Sequence, residues 1–270
     1  MNNSFFNPSR VKEQYKNSDN LDARIRLHSF NTNKTDWSIW FFEKMDIPEN
    51  GRILELGCGN GMLWQKNAHS VRENWDITLS DFSEGILESA KQNISSDKFK
   101  FEIIDIQNIP YEDETFDVII ARHMLYHVPN IGKAICEVRR ILKSDGKFYV
   151  STNGIEHMQE LENLVKSYDA NIDLNLKKFA VRFGLENGCD ILKKYFDNVS
   201  MEEFNGRIVV DKAEYVVGYV ASINRMLSDL SQKESFHKYV NEKISKSGQL
   251  VITTKTGMLT ALKDCWKREN

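Results

Sequence analysis

Residues 53–61 read Ile-Leu-Glu-Leu-Gly-Cys-Gly-Asn-Gly, "ILELGCGNG". A short apolar run carrying one acidic residue, Glu55, runs into three glycines at alternate positions. The run has the length and the bounds of a buried strand. Gly57, Gly59 and Gly61 let the backbone turn tightly and approach a ligand with no side chain in the way. A ligand there lies outside the carboxyl ends of parallel strands, the usual crevice of open α/β sheets. Taken alone, the same turn is also compatible with a plain tight bend.

The pattern on either side settles the fold class. Residues 52–56, 75–81, 99–105, 116–122 and 146–152 are β-branched or aromatic-rich and bounded by Gly, Asp or Asn, and read as five strands. Between them lie helical stretches at 84–94 and 131–143. The second places Ile131, Ala134, Ile135, Val138, Ile141 and Leu142 on one face. Ser83 stands where an N-cap belongs. Alternation of strand and helix at this spacing predicts a mostly parallel sheet with helices on both faces.

The flanks are less regular. Residues 1–50 read as helical, through "LDARIRLH" and "DWSIWFFEKM". After the fifth strand the pattern predicts a helix near 155–168, a polar loop, and a helix near 186–196. Strands follow at 198–204 and 207–210, helices near 212–228 and 230–245, and a closing strand at 248–257.

The acidic residues narrow the ligand. A dinucleotide fingerprint is G-x-G-x-x-G, whereas this turn is G-x-G-x-G preceded by Glu55. Asp81, at the end of the second strand, can accept hydrogen bonds from ribose hydroxyls. Asp105, at the end of the third, can take the donor of an adenine amino group while Ile106 covers the ring. Three carboxylates at successive strand ends suit a cationic, sugar-bearing ligand better than a pyrophosphate.

Composition agrees with an ordinary globular chain. Of 270 residues, 41% are hydrophobic and 28% charged, enough apolar material for one large core. The net charge of −3 weighs against a nucleic-acid partner, which usually calls for a basic excess. Cys58, Cys136, Cys189 and Cys265 are far apart, with no C-x-x-C pair, which suits a reducing compartment rather than a disulfide framework or a zinc site. The start, "MNNSFFNPSR", is not a signal peptide, and no apolar run is long enough to span a membrane. The expectation is a soluble, cytoplasmic protein with no membrane partner. Its oligomeric state is left open.

Together, "ILELGCGNG", "LSDFSEGILESAK", "IIDIQNIPYEDETFDVIIARHMLYHV" and "AICEVRRILKSDGKFYVSTNG" resemble the class I S-adenosylmethionine-dependent methyltransferases, in the large group that includes ubiquinone-biosynthesis-type enzymes. The resemblance covers residues 50–154. It departs at "LKSDGK", where the family commonly has a Pro-Gly-Gly turn, but Asp145-Gly146 still supplies one. The flanks, "YKNSDNLDARIRLHSFNTN" before the sheet and "TNGIEHMQEL" and "FGLENG" after it, resemble a narrower subgroup of small methyltransferases.

The resemblance implies a Rossmann-like, seven-stranded, mostly parallel sheet. Residues 1–50 would form a helical lid, and 51–270 the S-adenosylmethionine-binding domain with substrate-cap helices within 153–245. It implies S-adenosylmethionine as cofactor and S-adenosylhomocysteine as product. Gly57, Cys58 and Gly59 would pass the methionine part, Asp81 bind the ribose, Phe82 flank the adenosine, and Asp105 with Ile106 hold the adenine. Glu55 and Arg122 join this cofactor set, and Tyr15 and Arg24 would close over it, Arg24 facing the carboxylate. Each of those last two is also readable as a surface side chain.

In-line methyl transfer needs position and desolvation, and a base only for a neutral hydroxyl. Candidates on the acceptor side are His123 and His127, after the fourth strand, as catalytic groups. Asn153, His157, Glu186 and Asn187 are the candidate substrate contacts. Each has a plainer reading in packing, a turn or a helix start, and Trp37, Trp40 and Trp64 read as core. The four-residue spacing of His123 and His127 also suits a metal, but H-E-x-x-H is absent and no third ligand is nearby. The expected activity is methylation of a metabolite or a peptide-derived natural product, at oxygen rather than nitrogen. Competing readings are a nicotinamide oxidoreductase, a nucleic acid methyltransferase and a non-catalytic cofactor-binding module. The glycine spacing disfavours the first. The second lacks the Asn/Asp-Pro-Pro-aromatic turn, and the intact motifs oppose the third.

Overall fold

In a computed structural model of the chain, residues 19–223 and 229–263 are described. Seven strands form one sheet in the order β3-β2-β1-β4-β5-β7-β6. They are β1 (Arg52–Leu56), β2 (Asp76–Asp81), β3 (Phe99–Ile103), β4 (Phe116–Arg122), β5 (Leu142–Asn153), β6 (Asn198–Val210) and β7 (Leu250–Leu262). The first five pair in parallel, while β7 runs antiparallel to both β5 and β6.

Side-chain alternation along these strands sorts the core into two faces. Leu54, Leu56, Ile119 and Ala121 point to one side, against α5 (Ile131–Ile141) through Ala134, Ile135 and Val138. Ile53, Val118 and Ile120 point to the other, where α2 (Trp37–Glu43), α3 (Met62–Lys66) and α4 (Glu84–Ile94) bring Phe41, Leu63, Trp64 and Leu87. Each such buried side chain contributes roughly 1.5–3 kcal/mol. Both faces of the parallel half are covered, which is why its strands read as almost unbroken apolar runs.

A third cluster caps the carboxyl edge. It joins α1 (Asp19–His28), α6 (Gln159–Tyr168), α9 (Ala213–Ile223) and α10 (Leu230–Ser247) to the far ends of β6 and β7, through Leu27, Val165, Val220, Phe236, Ile208 and Ile252. The segment after α1 is stitched onto β6 by backbone: Thr32 N donates to Arg207 O at 2.8 Å, and Val209 N donates to Phe30 O at 3.1 Å. Gly206 makes this possible, because a Cβ there would meet the Asn31 Oδ1 at 2.5 Å.

Several expected boundaries change. Strand β3 stops at Ile103, so Asp105 sits in the following turn, bridged to Asn108, rather than in the strand. Helix α5 ends at Ile141, because Leu142 already pairs with Phe116 in the sheet, and Asp145 takes the left-handed conformation (φ 65°). The expected polar loop contains α7 (Leu176–Arg182), and the helix near 186–196 shrinks to α8 (Gly188–Leu192). The two strands expected at 198–204 and 207–210 are one, continuous through Asn205-Gly206. Ser83 holds the N-cap position of α4 without a capping side-chain bond; its own N–H goes instead to Asp81 Oδ1 at 2.9 Å. No helix among the described residues is long and apolar enough to cross a membrane.

Candidate active site

The glycine turn lies at the carboxyl end of β1 with all three glycines left-handed, φ 72°, 59° and 78°. At Gly57 the approach is also tight, since a Cβ would stand 3.0 Å from the Met124 Cγ. Two contacts hold the turn's shape. Cys58 N donates to Ser80 O at 2.8 Å, and Gly59 N donates to Asp81 Oδ2 at 3.1 Å. Asp81 thus organises the floor by accepting from Gly59 and Ser83, and part of its carboxylate still borders the cavity. Burial pushes its pKa up, against those backbone donors.

This floor opens into a cavity of about 630 Å³. Gly57, Cys58, Gly59, Asp81, Phe82, Asp105 and Ile106 all line it, so the sequence-based cofactor set converges on one wall. Asp105 is oriented by its own loop, accepting from Gln107 N at 2.9 Å.

Beneath the turn, Glu55 is 1% exposed and accepts from the Trp64 indole at 2.6 Å. Burial raises its pKa to about 7, while Arg122 and the indole pull the other way. Arg122 is a buried cation, its guanidinium 5.5 Å from the Phe41 ring and its Nη2 3.4 Å from Ser38 Oγ. Burial lowers its pKa, against Glu55 and Asp36, and its Nε has no hydrogen-bond partner among the described residues. A cradle of backbone without side chains, strand-end carboxylates and an incompletely satisfied guanidinium fit a ligand carrying ribose hydroxyls, an ammonium and a carboxylate. S-Adenosylmethionine has all of these. Trp64 is core, as expected, but core that positions Glu55.

A second wall of the cavity is different in kind. His123 is left-handed (φ 50°), with its N–H donating to Ser151 O and Oγ at 3.1 Å and its ring 5.6 Å from that of Trp37. His127 ends the 3-10 turn Leu125–His127, between the rings of Tyr126 (4.7 Å) and Phe179 (4.9 Å). Desolvation, then nearby Arg122, His28 and His127, takes the His123 pKa down to about 3. Desolvation, then Arg24 and Arg182, does the same for His127. Both imidazoles are neutral at ordinary pH. His157 and Asn153 line this wall too.

Other expected residues fall elsewhere. Glu186 and Asn187 are outside the cavity lining. Glu186 accepts from Ile155 N at 2.8 Å, and Asn187 bridges Gly184 N and Val181 O at 2.8 and 2.7 Å. Both therefore hold the loop between α7 and α8, and neither meets the cavity. Arg24 does line it, but its guanidinium is tied to Ser222, through Oγ at 3.1 Å and the carbonyl at 2.9 Å, and its charge is felt at His127. Tyr15 lies outside the described residues. Among these residues no group of three His, Cys, Asp or Glu side chains is disposed to hold a metal.

Sequence reasoning missed His28, Phe204 and Tyr219; Trp37 packs against the core as expected and lines the cavity as well. His28, on α1, stacks on His157 with centroids 5.8 Å apart and 12° between planes. Desolvation lowers its pKa to about 4. No local spacing announces these residues, because they meet only when α1 and α9 fold over the edge of the sheet that carries β6.

Comparison with known proteins agrees with this geometry. The "Methyltransferase domain" family matches residues 47–243. The chain is 28% identical over 234 residues to a ubiquinone/menaquinone biosynthesis C-methyltransferase of Rickettsia bellii, covering 80% of this chain and 92% of that protein. It is 31% identical over 148 residues to a sterol 4-C-methyltransferase of Caenorhabditis elegans, covering 54% of this chain but only 41% of that longer protein. In fold it is similar to a candidate methyltransferase of Bacillus halodurans, with a TM-score of 0.59 and 16% identity, covering 84% of this chain and 99% of that one. With the family matched across most of its length and its glycine turn, strand-end acids and sheet order in place, the chain belongs to the methyltransferase-domain family and is an S-adenosylmethionine-dependent methyltransferase.

Proposed function

We propose that this enzyme methylates an oxygen of a small, uncharged metabolite enclosed between α1, α2 and the carboxyl edge of the sheet. The observation that supports this is the chamber facing the glycine turn, walled by neutral imidazoles and aromatic rings. Its volume, shared with the cofactor, favours a metabolite over a peptide-derived acceptor.

When bound, S-adenosylmethionine supplies a methyl group already activated on a sulfonium. The chain's task is position and desolvation, which in favourable cases lower a barrier by about 7–11 kcal/mol. A hydroxyl becomes strongly acidic as its oxygen forms a bond to carbon. An imidazole nitrogen with a pKa of about 3 then receives that proton downhill. An alkylamine arrives as an ammonium and must lose its proton before attack, which so weak a base does not achieve. Oxygen is favoured over nitrogen on this ground.

In this reading His123 and His127 handle the proton, and Asn153 and His157 hold the acceptor. The described part of the N-terminal segment, residues 19–50 with Arg24, acts as a lid over the domain that follows, with cap segments within 153–245.

A second reading is methylation at carbon. It is supported by the relatives named as C-methyltransferases, although a malonyl-[acyl-carrier protein] O-methyltransferase of Bacillus cytotoxicus is also similar, 27% identical over 191 residues. A phenol or enol presented to these imidazoles is nucleophilic at the carbon adjacent to the one that bears its oxygen. The test is incubation with carbon-13-methyl cofactor and a panel of phenols, enols, carboxylic acids and amines, followed by NMR of the products. O-methyl signals are expected. C-methyl signals select the second reading, and N-methyl products alone overturn both.

A further inference from the structure

One histidine of the chamber has its tautomer dictated by the fold. The turn before α6 is sewn to β7 on both sides of the His157 ring. Met158 N donates to Thr253 O at 2.9 Å, and Lys255 N donates to His157 Nδ1 at 3.1 Å. A backbone N–H donates only to an unprotonated nitrogen, so the single proton of this neutral imidazole is on Nε2. The residue is 7% exposed and borders the cavity, with its Nδ1 engaged by β7 and its Nε2–H not committed to that strand. His28 lies parallel to the ring, and Tyr219 closes edge-on against His28 at 6.0 Å. Asn153, at the end of β5, borders the same space; its carbonyl already accepts from Leu185 N at 3.2 Å.

We propose that His157 is the acceptor-recognising residue, donating its Nε2–H to an uncharged oxygen of a flat acceptor, with Asn153 as the second polar contact. The acceptor then carries a carbonyl, ether or hydroxyl oxygen besides the atom that is methylated. The inference rests on the reading of a small uncharged acceptor given above. Charge distribution argues for it: the titratable side chains felt at His157 are His28 and His123, both neutral imidazoles, and the Lys255 ammonium is paired with Glu156. The carboxylates bordering the cavity, Asp36, Glu55, Asp81 and Asp105, stand at the N-cap of α2, within β1, at the end of β2 and just past β3. A cationic acceptor would find no partner at His157.

Two isosteric variants separate recognition from structure. His157→Asn keeps an oxygen where Nδ1 accepts from Lys255 but removes the donor. His157→Gln keeps a donor near Nε2 but gives up the Lys255 bond. The probes are 1-indanone, which has one carbonyl oxygen, and indane, the same shape without it, titrated into the full chain saturated with S-adenosylhomocysteine. Binding of 1-indanone should weaken about tenfold in His157→Asn, the scale of one hydrogen bond, and recover in His157→Gln. Indane binding should be the same in all three proteins.

Nitrogen-15 spectra of the wild type should show Nε2 protonated and its signal moved by 1-indanone. A proton on Nδ1, 1-indanone binding no tighter than indane, or His157→Asn binding 1-indanone as the wild type does would each overturn the proposal. Failure here is distinct from failure of the acceptor reading, which is judged by the position of the labelled methyl in product.

Discussion

The two walls of the cavity are built on different principles. Around Gly57, Gly59 and Asp81 the lining is backbone and strand-end carboxylates, held by bonds such as Gly59 N to Asp81 that span 22 residues. Around His28, His123, His157 and Tyr219 the lining is side chains from four distant parts of the chain, the three imidazoles kept neutral by burial. The first wall is a local construction repeated along one edge of a parallel sheet. The second exists only after the roof closes. One wall recognises by fixed charge and shape, the other by neutral donors and rings, and that contrast can be attacked directly.

Acid strikes the second wall hardest. The unfolded imidazoles take up protons near 6.5, whereas His28, His123 and His127 resist until about 4, 3 and 3. Their stabilising effect is full above pH 6.5 and is lost as pH falls from there toward 4, on the order of 3 kcal/mol for each. Glu55 works in the opposite sense, since its raised pKa of about 7 favours the fold at low pH and stops doing so as pH rises through 7. The net expectation is acid unfolding that begins below pH 6.5, read by circular dichroism. A fold equally stable at pH 7 and pH 4 would erase the contrast between the walls.

Asp81→Ala tests the first wall. It removes the carboxylate expected to accept from the ribose and leaves the Gly59 and Ser83 N–H groups unsatisfied, so S-adenosylhomocysteine affinity should fall at least about 100-fold by calorimetry. His123→Asn, smaller in effect, should lower turnover about 10- to 100-fold with cofactor affinity unchanged. His127→Asn, whose ring is wedged between Tyr126 and Phe179, should do less. Unchanged turnover in both would leave them as packing. Smallest is Asn187→Ala, which should cost about 1 kcal/mol of stability in urea and leave KM for both ligands alone, because its amide serves only the loop.

What was legible in the sequence follows the same division. The glycine turn, Asp81 and Asp105 could be read because strand ends, turn residues and their chemistry are neighbours in the chain. Glu186 and Asn187 were misjudged for a matching reason. A polar Glu-Asn-Gly run looks alike whether it points at a ligand or closes a loop, and only the bonds to Ile155, Gly184 and Val181 tell them apart. Trp37 read as core because its helix is rich in aromatic residues, and it does pack there, but it also borders the cavity beside His123. His28 sits in "LDARIRLH" with nothing nearby to mark it, 129 residues from the histidine it stacks upon.

The antiparallel pair β6–β7 works as a ruler. Its thirteen-residue register runs from Asn198 opposite Leu262, inside the sheet, to Val210 opposite Leu250, under the capping helices. The height of the roof above the floor is therefore counted in strand residues, about 3.4 Å apiece. Lengthening both strands by two residues would raise the ceiling and keep every inward side chain inward; lengthening them by one would turn the cap's apolar face outward. Acceptors of different length can thus be accommodated in steps along this ribbon, far from Gly57, without touching the cofactor.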